Sequence, residues 1–310
     1  MSIIEKAVSR LDQSKSDASA NPSVAAGPII GDGKNHDTLA PVSAQTVAPP
    51  TIEPAAAEAR RPPARERQHV VKRVEISIDR LASNNMVTAD GGRNPVAEEF
   101  RAIKRPLIDN AFAKDGRAVN RNNLIMVTSA LPGEGKTFTS INLAMSIAME
   151  LDHTVLLVDA DVARPSVLRT LGLKAEAGLM DVLLDAKLDI ADVLLKTNID
   201  TLSILPAGMQ TRHATELLAS QTMSNLLDEI ASRYPDRIVI FDSPPLLLTS
   251  EARVLASKMG QIVVVVEAET TTMHAVRSAL NQLEACPNIN LVYNKAKSFP
   301  GQEDYGYYYN

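Results

Sequence analysis

An α/β domain built on a doubly wound, mainly parallel sheet is the fold class this sequence predicts, and three observations predict it. Short runs dominated by Val, Ile and Leu recur at 124–128, 154–159, 201–205, 237–242, 261–267 and 290–294, each of strand length. Near-continuous apolar runs mark strands covered on both faces, and the helical periods between most of them make the connections parallel crossovers. Third, none of the 11 aromatic residues precedes Phe100, whereas eight of the 18 prolines lie at or before Pro63. The front of the 310-residue chain is therefore poor material for a second core, although a domain of roughly 100–200 residues would leave room for one.

In chain order, residues 1–12 place Ile3, Ile4, Ala7, Val8 and Leu11 on one helical face with Glu5, Lys6 and Arg10 on the other. This short amphipathic helix is too short to be stable alone, and it reads equally as a fraying terminus or as a docking element for a membrane surface or partner groove. Residues 13–72 are rich in Ser, Ala, Pro and Gly and bury too little apolar surface to offset chain entropy, which predicts a disordered linker. The folded domain spans 73–300. It opens with an alternating stretch at 74–78 suited to an edge strand, and Asn94 and Pro95 then signal a helix start. Residues 301–310 form a flexible tail holding Tyr305, Tyr307, Tyr308 and Tyr309, four of the six tyrosines.

Composition excludes several classes. One cysteine, Cys286, rules out an internal disulfide framework and thiolate-rich metal centres, and points to a reducing compartment. No run approaches the roughly 18 apolar residues of a membrane span, and the N-terminus lacks the pattern of a secretory signal. A net charge of −5 argues against a general nucleic-acid binder. The expected location is the cytoplasm, with any contact to the inner membrane peripheral and made through a partner.

The most informative stretch joins the run at 124–128 to a helix through Ser129, Ala130, Leu131, Pro132, Gly133, Glu134, Gly135, Lys136 and Thr137. A strand ending in a Gly-containing turn that opens a helix presents backbone N–H groups and a positive helix end to a phosphate chain. Lys136 is suited to the β- and γ-phosphates of ATP and the Thr137 hydroxyl to Mg²⁺, with Pro132, Gly133, Glu134, Gly135 and Phe138 completing the nucleotide contacts. The strict phosphate-loop pattern is not met, because Ala130 stands where the first Gly belongs. Two further strand ends carry Asp159 and Asp161, and Asp242 before Ser243, Pro244 and Pro245. In an open α/β sheet the ligand lies beyond the carboxyl ends of the strands, so three carboxylates and one hydroxyl can surround one Mg²⁺. Singly, each Asp reads as a helix cap or turn residue; together with the loop they suit phosphoryl transfer, in which a metal and Lys136 neutralise developing charge and an aspartate accepts the proton of an attacking hydroxyl. The fold is thus expected to be that of a P-loop NTPase.

The loop, the Asp159, Asp161, Arg164 motif, the Asp242 to Pro245 motif and the terminal tyrosines together resemble the bacterial tyrosine kinases, the P-loop autokinases of capsule and exopolysaccharide production. The resemblance covers about residues 95 to 310. The leading helix, the Leu205 to Gly208 run and the Glu216 to Ser220 run resemble the exosortase-associated subgroup in particular, and the Gly178 to Asp181 run also fits the family. The resemblance implies ATP-dependent autophosphorylation of the tyrosine cluster, in trans within an oligomeric ring. It makes Lys136, Asp159, Asp161 and Asp242 catalytic, Asp159 serving as base or metal ligand, and makes Thr137, Asp161 and Asp242 the Mg²⁺ shell, directly or through water. Asn294 falls where related folds recognise adenine, and reads equally as a strand-terminating turn residue. Glu98, Arg101 and Lys104 resemble the family's ring-assembly segment, with Lys where an Arg is usual and Arg105 beside it; the same spacing suits a solvated helix face. Implied partners are further copies of the chain, a separate membrane co-polymerase of the chain-length-regulator type and a cognate tyrosine phosphatase, with no nucleic acid. The rival reading is a partition or division-site ATPase acting as a positioning switch. Such proteins carry a Lys near the start of the loop, where this chain has Leu131 and Pro132, and they lack a tyrosine cluster.

Overall fold

The computed structural model describes residues 72–88, 95–113, 121–234, 236–284, 286 and 288–297. The leading helix, all but the last residue of the linker, and the tyrosine tail lie outside the described residues. In chain order the elements are β1 (Lys72–Arg73), α1 (Ile78–Ser83), α2 (Pro95–Ala111), β2 (Leu124–Ser129), α3 (Lys136–Ala148), β3 (Thr154–Asp159), α4 (Val167–Leu171), α5 (Leu179–Leu184), α6 (Ile190–Val193), β4 (Leu195–Lys196), β5 (Leu202–Leu205), α7 (Ala214–Ala219), α8 (Gln221–Arg233), β6 (Arg237–Asp242), α9 (Ser250–Ala256), β7 (Gln261–Glu267), α10 (Met273–Asn281) and β8 (Ile289–Asn294).

The strands form one sheet in the order β1-β4-β5-β3-β6-β2-β7-β8. Every pairing is parallel except β4 with β5. The phosphate-loop strand β2 runs between β6 and β7, so the chain leaves β2 through α3, passes over β6 and enters β3. Successive side chains of β2 serve opposite cores: Leu124 and Met126 pack on one face, Ile125 and Val127 on the other. Burial on both faces is what the near-continuous apolar runs encode. It also places the carboxyl ends of β2, β3 and β6 side by side, with Val127 opposite Asp242 and Asp159 opposite Asp242.

The edge strand expected at 74–78 lies earlier. Lys72 and Arg73 pair with Leu195 and Lys196, and the Val74 N–H donates to the Lys196 carbonyl at 2.8 Å. Beyond that the Asn198 side chain replaces a neighbouring strand, accepting from the Ile76 N–H at 2.9 Å and donating to the Ile76 carbonyl at 3.2 Å. Ser77 then caps α1 by accepting from the Arg80 N–H, which turns Ile78 into a helix. Periodicity over five residues could not separate a strand from a strand end followed by a cap. The two-residue β4 was too short to leave a periodic signal.

Candidate active site

The turn between β2 and α3 is shaped by two glycines in the left-handed region, Gly133 at φ +85° and Gly135 at φ +99°. Ala130 is fully buried and keeps a negative φ, so the bend that demands glycine falls later in the loop and the missing first Gly costs no backbone strain. Glu134 is only 2 % exposed. Its carboxylate accepts from the Leu131 N–H at 2.6 Å and from the Thr271 hydroxyl, so it braces the loop from within and from the β7–α10 turn. The loop borders an open cleft of about 600 Å³. Pro132, Gly133, Gly135, Lys136, Thr137 and Phe138 line one side, and Asp161, Arg164, Arg169 and the Pro244, Pro245, Leu248 segment line the rest.

The aspartates have separate partners. The Asp242 carboxylate is buried, accepting from the Thr137 hydroxyl at 2.7 Å and the Ser140 hydroxyl at 3.0 Å. Burial pushes it up to about 6, against the two hydroxyl donors and Lys136, which hold it down. Asp159 accepts at one oxygen from the backbone N–H groups of Ser166 and Val167, both at 3.0 Å, while its other oxygen is buried without a hydrogen-bond partner. Burial and the neighbouring Asp242 charge raise it to about 7. Asp161 lines the cleft and meets the Lys136 ammonium at 3.3 Å. Among the described residues no group of three His, Cys, Asp or Glu side chains is placed to hold a metal by itself. Asp161 is drawn to Lys136, and one Asp159 oxygen is held by backbone amides. The oxygen donors that remain together, Thr137 and Asp242 with the unpartnered Asp159 oxygen nearby, suit a hard cation that completes its shell with phosphate and water.

Sequence reading missed four participants. Ser166 joins its hydroxyl to that of Thr137 at 2.8 Å and its N–H to Asp159. Ser140 holds Asp242, and Thr271 holds Glu134. Lys295 donates to the Gly133 carbonyl at 2.8 Å and pairs with Glu267 at 2.9 Å. Its neighbour Asn294 donates to the Glu134 carbonyl at 2.8 Å and lies so close to Gly135 that a Cβ there would sit 1.9 Å from its amide nitrogen. The end of β8 thus fastens the loop from behind. Only Lys295 beside Asn294 at a strand end could have signalled this.

On α2, Glu98 and Arg101 are exposed and bond to each other. Lys104 turns inward, 4 % exposed, to the Ser146 carbonyl at 2.7 Å and Glu150 at 2.6 Å, while Arg105 remains mostly exposed. The runs at 178–181 and 205–208 are fastened together: Asp181 accepts from the Gly178 and Met209 N–H groups, and the Leu179 and Met180 N–H groups donate to the Pro206 and Ala207 carbonyls. A Cβ at Gly178 would stand 2.1 Å from the Pro206 carbonyl oxygen, so close backbone approach requires that glycine. No helix among the described residues is long and apolar enough to cross a membrane.

Comparison with known proteins bears directly on this site. The AAA domain family matches residues 122–295, more than half of the chain and all of the loop and its aspartates. The tyrosine-protein kinase YwqD of Bacillus subtilis is 30% identical over 226 residues, covering 72% of this chain and 91% of that protein. The putative tyrosine-protein kinase EpsB of Ralstonia nicotianae is 31% identical over 62% of this chain, which spans only 24% of that longer protein. Among solved structures, the chimerical protein CapA2B2 superposes with a TM-score of 0.57 at 25% identity, covering 74% of this chain and 95% of that one. The kinase domain of the Escherichia coli tyrosine kinase ETK shares the fold, at a TM-score of 0.56 and 24% identity over 75% of this chain and 94% of that one. By the extent of the domain match and the near-complete coverage of YwqD, the chain belongs to the bacterial tyrosine-protein kinases, built on an AAA domain.

Proposed function

We propose that the chain transfers the γ-phosphoryl group of ATP to Tyr305, Tyr307, Tyr308 and Tyr309 of a neighbouring copy, and so regulates exopolysaccharide chain synthesis and export. The observation that carries the reading is the meeting of Lys136, Thr137, Asp159, Asp161 and Asp242 at the carboxyl edge of three adjacent strands, beside one cleft. Backbone N–H groups of the loop and the start of α3 face the phosphates, with Lys136 neutralising charge that develops on them. Thr137 and Asp242 would hold Mg²⁺, which supplies further charge neutralisation when bound. The tyrosine hydroxyl attacks the γ-phosphorus, the bond to the ADP oxygen breaks, and the phenolic proton passes to a carboxylate. Asp159, titrating near 7 with one oxygen unpartnered, suits a base at neutral pH.

Ring assembly would use the exposed Glu98 and Arg101 with Arg105 in place of the buried Lys104. Each added phosphate brings about −1.5 to −2 charges, which repels the carboxylates of Asp159, Asp161 and Asp242 and favours release of the tail. A separate membrane co-polymerase and a cognate phosphatase complete the reading, and assignment to the exosortase-associated branch rests on sequence motifs alone. The test mixes two chains with ATP and Mg²⁺: Lys136→Met, which retains the tail, and a chain truncated after Gln302, which retains the loop. Neither should acquire phosphotyrosine alone, and the Lys136→Met chain should acquire it when mixed. A mixture that stays unphosphorylated while wild type is phosphorylated would contradict transfer between copies.

A further inference from the structure

The cleft beside the phosphate loop is chemically divided. Lys136 and Asp161 offset each other at 3.3 Å, and Pro244, Pro245 and the exposed Leu248 make an apolar shelf. On the remaining wall stand Arg164 and Arg169, both exposed, with no carboxylate within ion-pair distance among the described residues. Two guanidinium groups with planar donor forks are therefore left facing the cleft with their charge uncompensated. The backbone that carries Arg169 is fastened, because its carbonyl and that of Thr170 accept from the Arg80 guanidinium. Residues 298–310 supply the complementary chemistry, since Glu303 and Asp304 directly precede Tyr305 and none of these residues is basic.

We infer that Arg164 and Arg169 determine acceptor specificity by binding carboxylates just N-terminal to the acceptor tyrosine, so that the substrate class is an acidic, tyrosine-bearing peptide segment and its occupant here is the tail of a second copy. The inference rests on the kinase reading and adds the recognition element to it. The acidic pair meets the guanidinium groups while the tyrosine ring lies against the apolar shelf, which leaves the hydroxyl facing the loop. The N–H groups of the loop and of the start of α3 face the nucleotide, which leaves the two arginines on the other wall to the peptide.

The test uses the chain truncated after Gln302 as enzyme and full-length Lys136→Met as acceptor, reading kcat/KM for acceptor phosphorylation with ATP saturating, and ATP affinity separately with a fluorescent ATP analogue. Changing the acceptor to Glu303→Gln with Asp304→Asn should lower kcat/KM about three- to tenfold, chiefly through KM, with a difference that shrinks as salt is raised. The enzyme carrying Arg164→Glu and Arg169→Glu should lose a similar factor toward the native tail and regain it toward an acceptor carrying Glu303→Lys and Asp304→Lys. Equal rates on the acidic and neutralised acceptors would overturn the inference, as would a loss in the arginine variant that is the same for every acceptor and tracks lost ATP affinity. A complete absence of phosphotyrosine with the native enzyme and acceptor would instead strike the underlying kinase reading.

Discussion

Replacing Asp159 by Asn should make the nucleotide-free protein more stable above neutral pH while removing kinase activity. The carboxyl titrates near 7 in the fold against 3.8 as its ordinary value, because burial and the Asp242 charge disfavour its ionised form. A folded-state pKa raised in this way contributes stability that is present below about pH 4 and is lost as pH rises through about 7. At about 1.36 kcal/mol per tenfold change in proton affinity, the contribution lost between pH 5 and pH 8 comes to about 2–3 kcal/mol. Asn cannot ionise, yet it keeps an oxygen for the Ser166 and Val167 N–H groups. Urea unfolding of both proteins at pH 5, 6, 7 and 8, without nucleotide or metal, reads the effect, because titrations not coupled to Asp159 cancel in the difference. The variant should gain on wild type as pH rises, by about 2–3 kcal/mol in unfolding free energy at pH 8 relative to pH 5. A stability difference that does not change with pH would refute the assignment of a strained, ionisable carboxyl to this position.

Other perturbations separate the parts of the site. Lys295→Met removes the donor to the Gly133 carbonyl, and should weaken ATP binding about three- to tenfold in a fluorescence titration while leaving thermal stability nearly unchanged. Gly135→Ala should weaken nucleotide binding more than Gly133→Ala, since both carry a positive φ but the Cβ at 135 would also push the Asn294 amide off the Glu134 carbonyl; Gly133→Ala has open space and should cost only about 1 kcal/mol of backbone strain, visible as a modest rise in KM for ATP. Lys104→Met should lower unfolding free energy by about 1–3 kcal/mol by leaving the Ser146 carbonyl unpaired and Glu150 with only the exposed Arg105. Arg101→Ala, on the exposed side of the same helix, should leave stability within about 0.5 kcal/mol and loosen self-association in sedimentation velocity.

The sheet was legible because strands buried on both faces leave unbroken runs such as 124–128 and 261–267, and helices between parallel strands leave only one hand of crossover. The loop was legible because Gly133, Gly135, Lys136 and Thr137 are adjacent in sequence and need no tertiary information to be read together. What stayed hidden depends on contacts between distant segments. Nothing local says that Glu134 faces inward to Leu131 and Thr271, that Lys295 holds a loop 162 residues away, or that Lys104 rather than Arg105 turns into the interior. The same limit explains the carboxylates. Three aspartates at neighbouring strand ends are legible as one acidic cluster, whereas the different partner each one takes is set by where α3 and the 164–167 segment pack.

The central claim is that this site makes phosphotyrosine, and mass spectrometry of the full chain after incubation with ATP and Mg²⁺ tests it most directly. Wild type should carry phosphate on Tyr305, Tyr307, Tyr308 or Tyr309, and Lys136→Met should carry none. ATP hydrolysis without phosphotyrosine would contradict the account in favour of a nucleotide-driven positioning switch, and phosphotyrosine that persists in Lys136→Met would place the active site elsewhere.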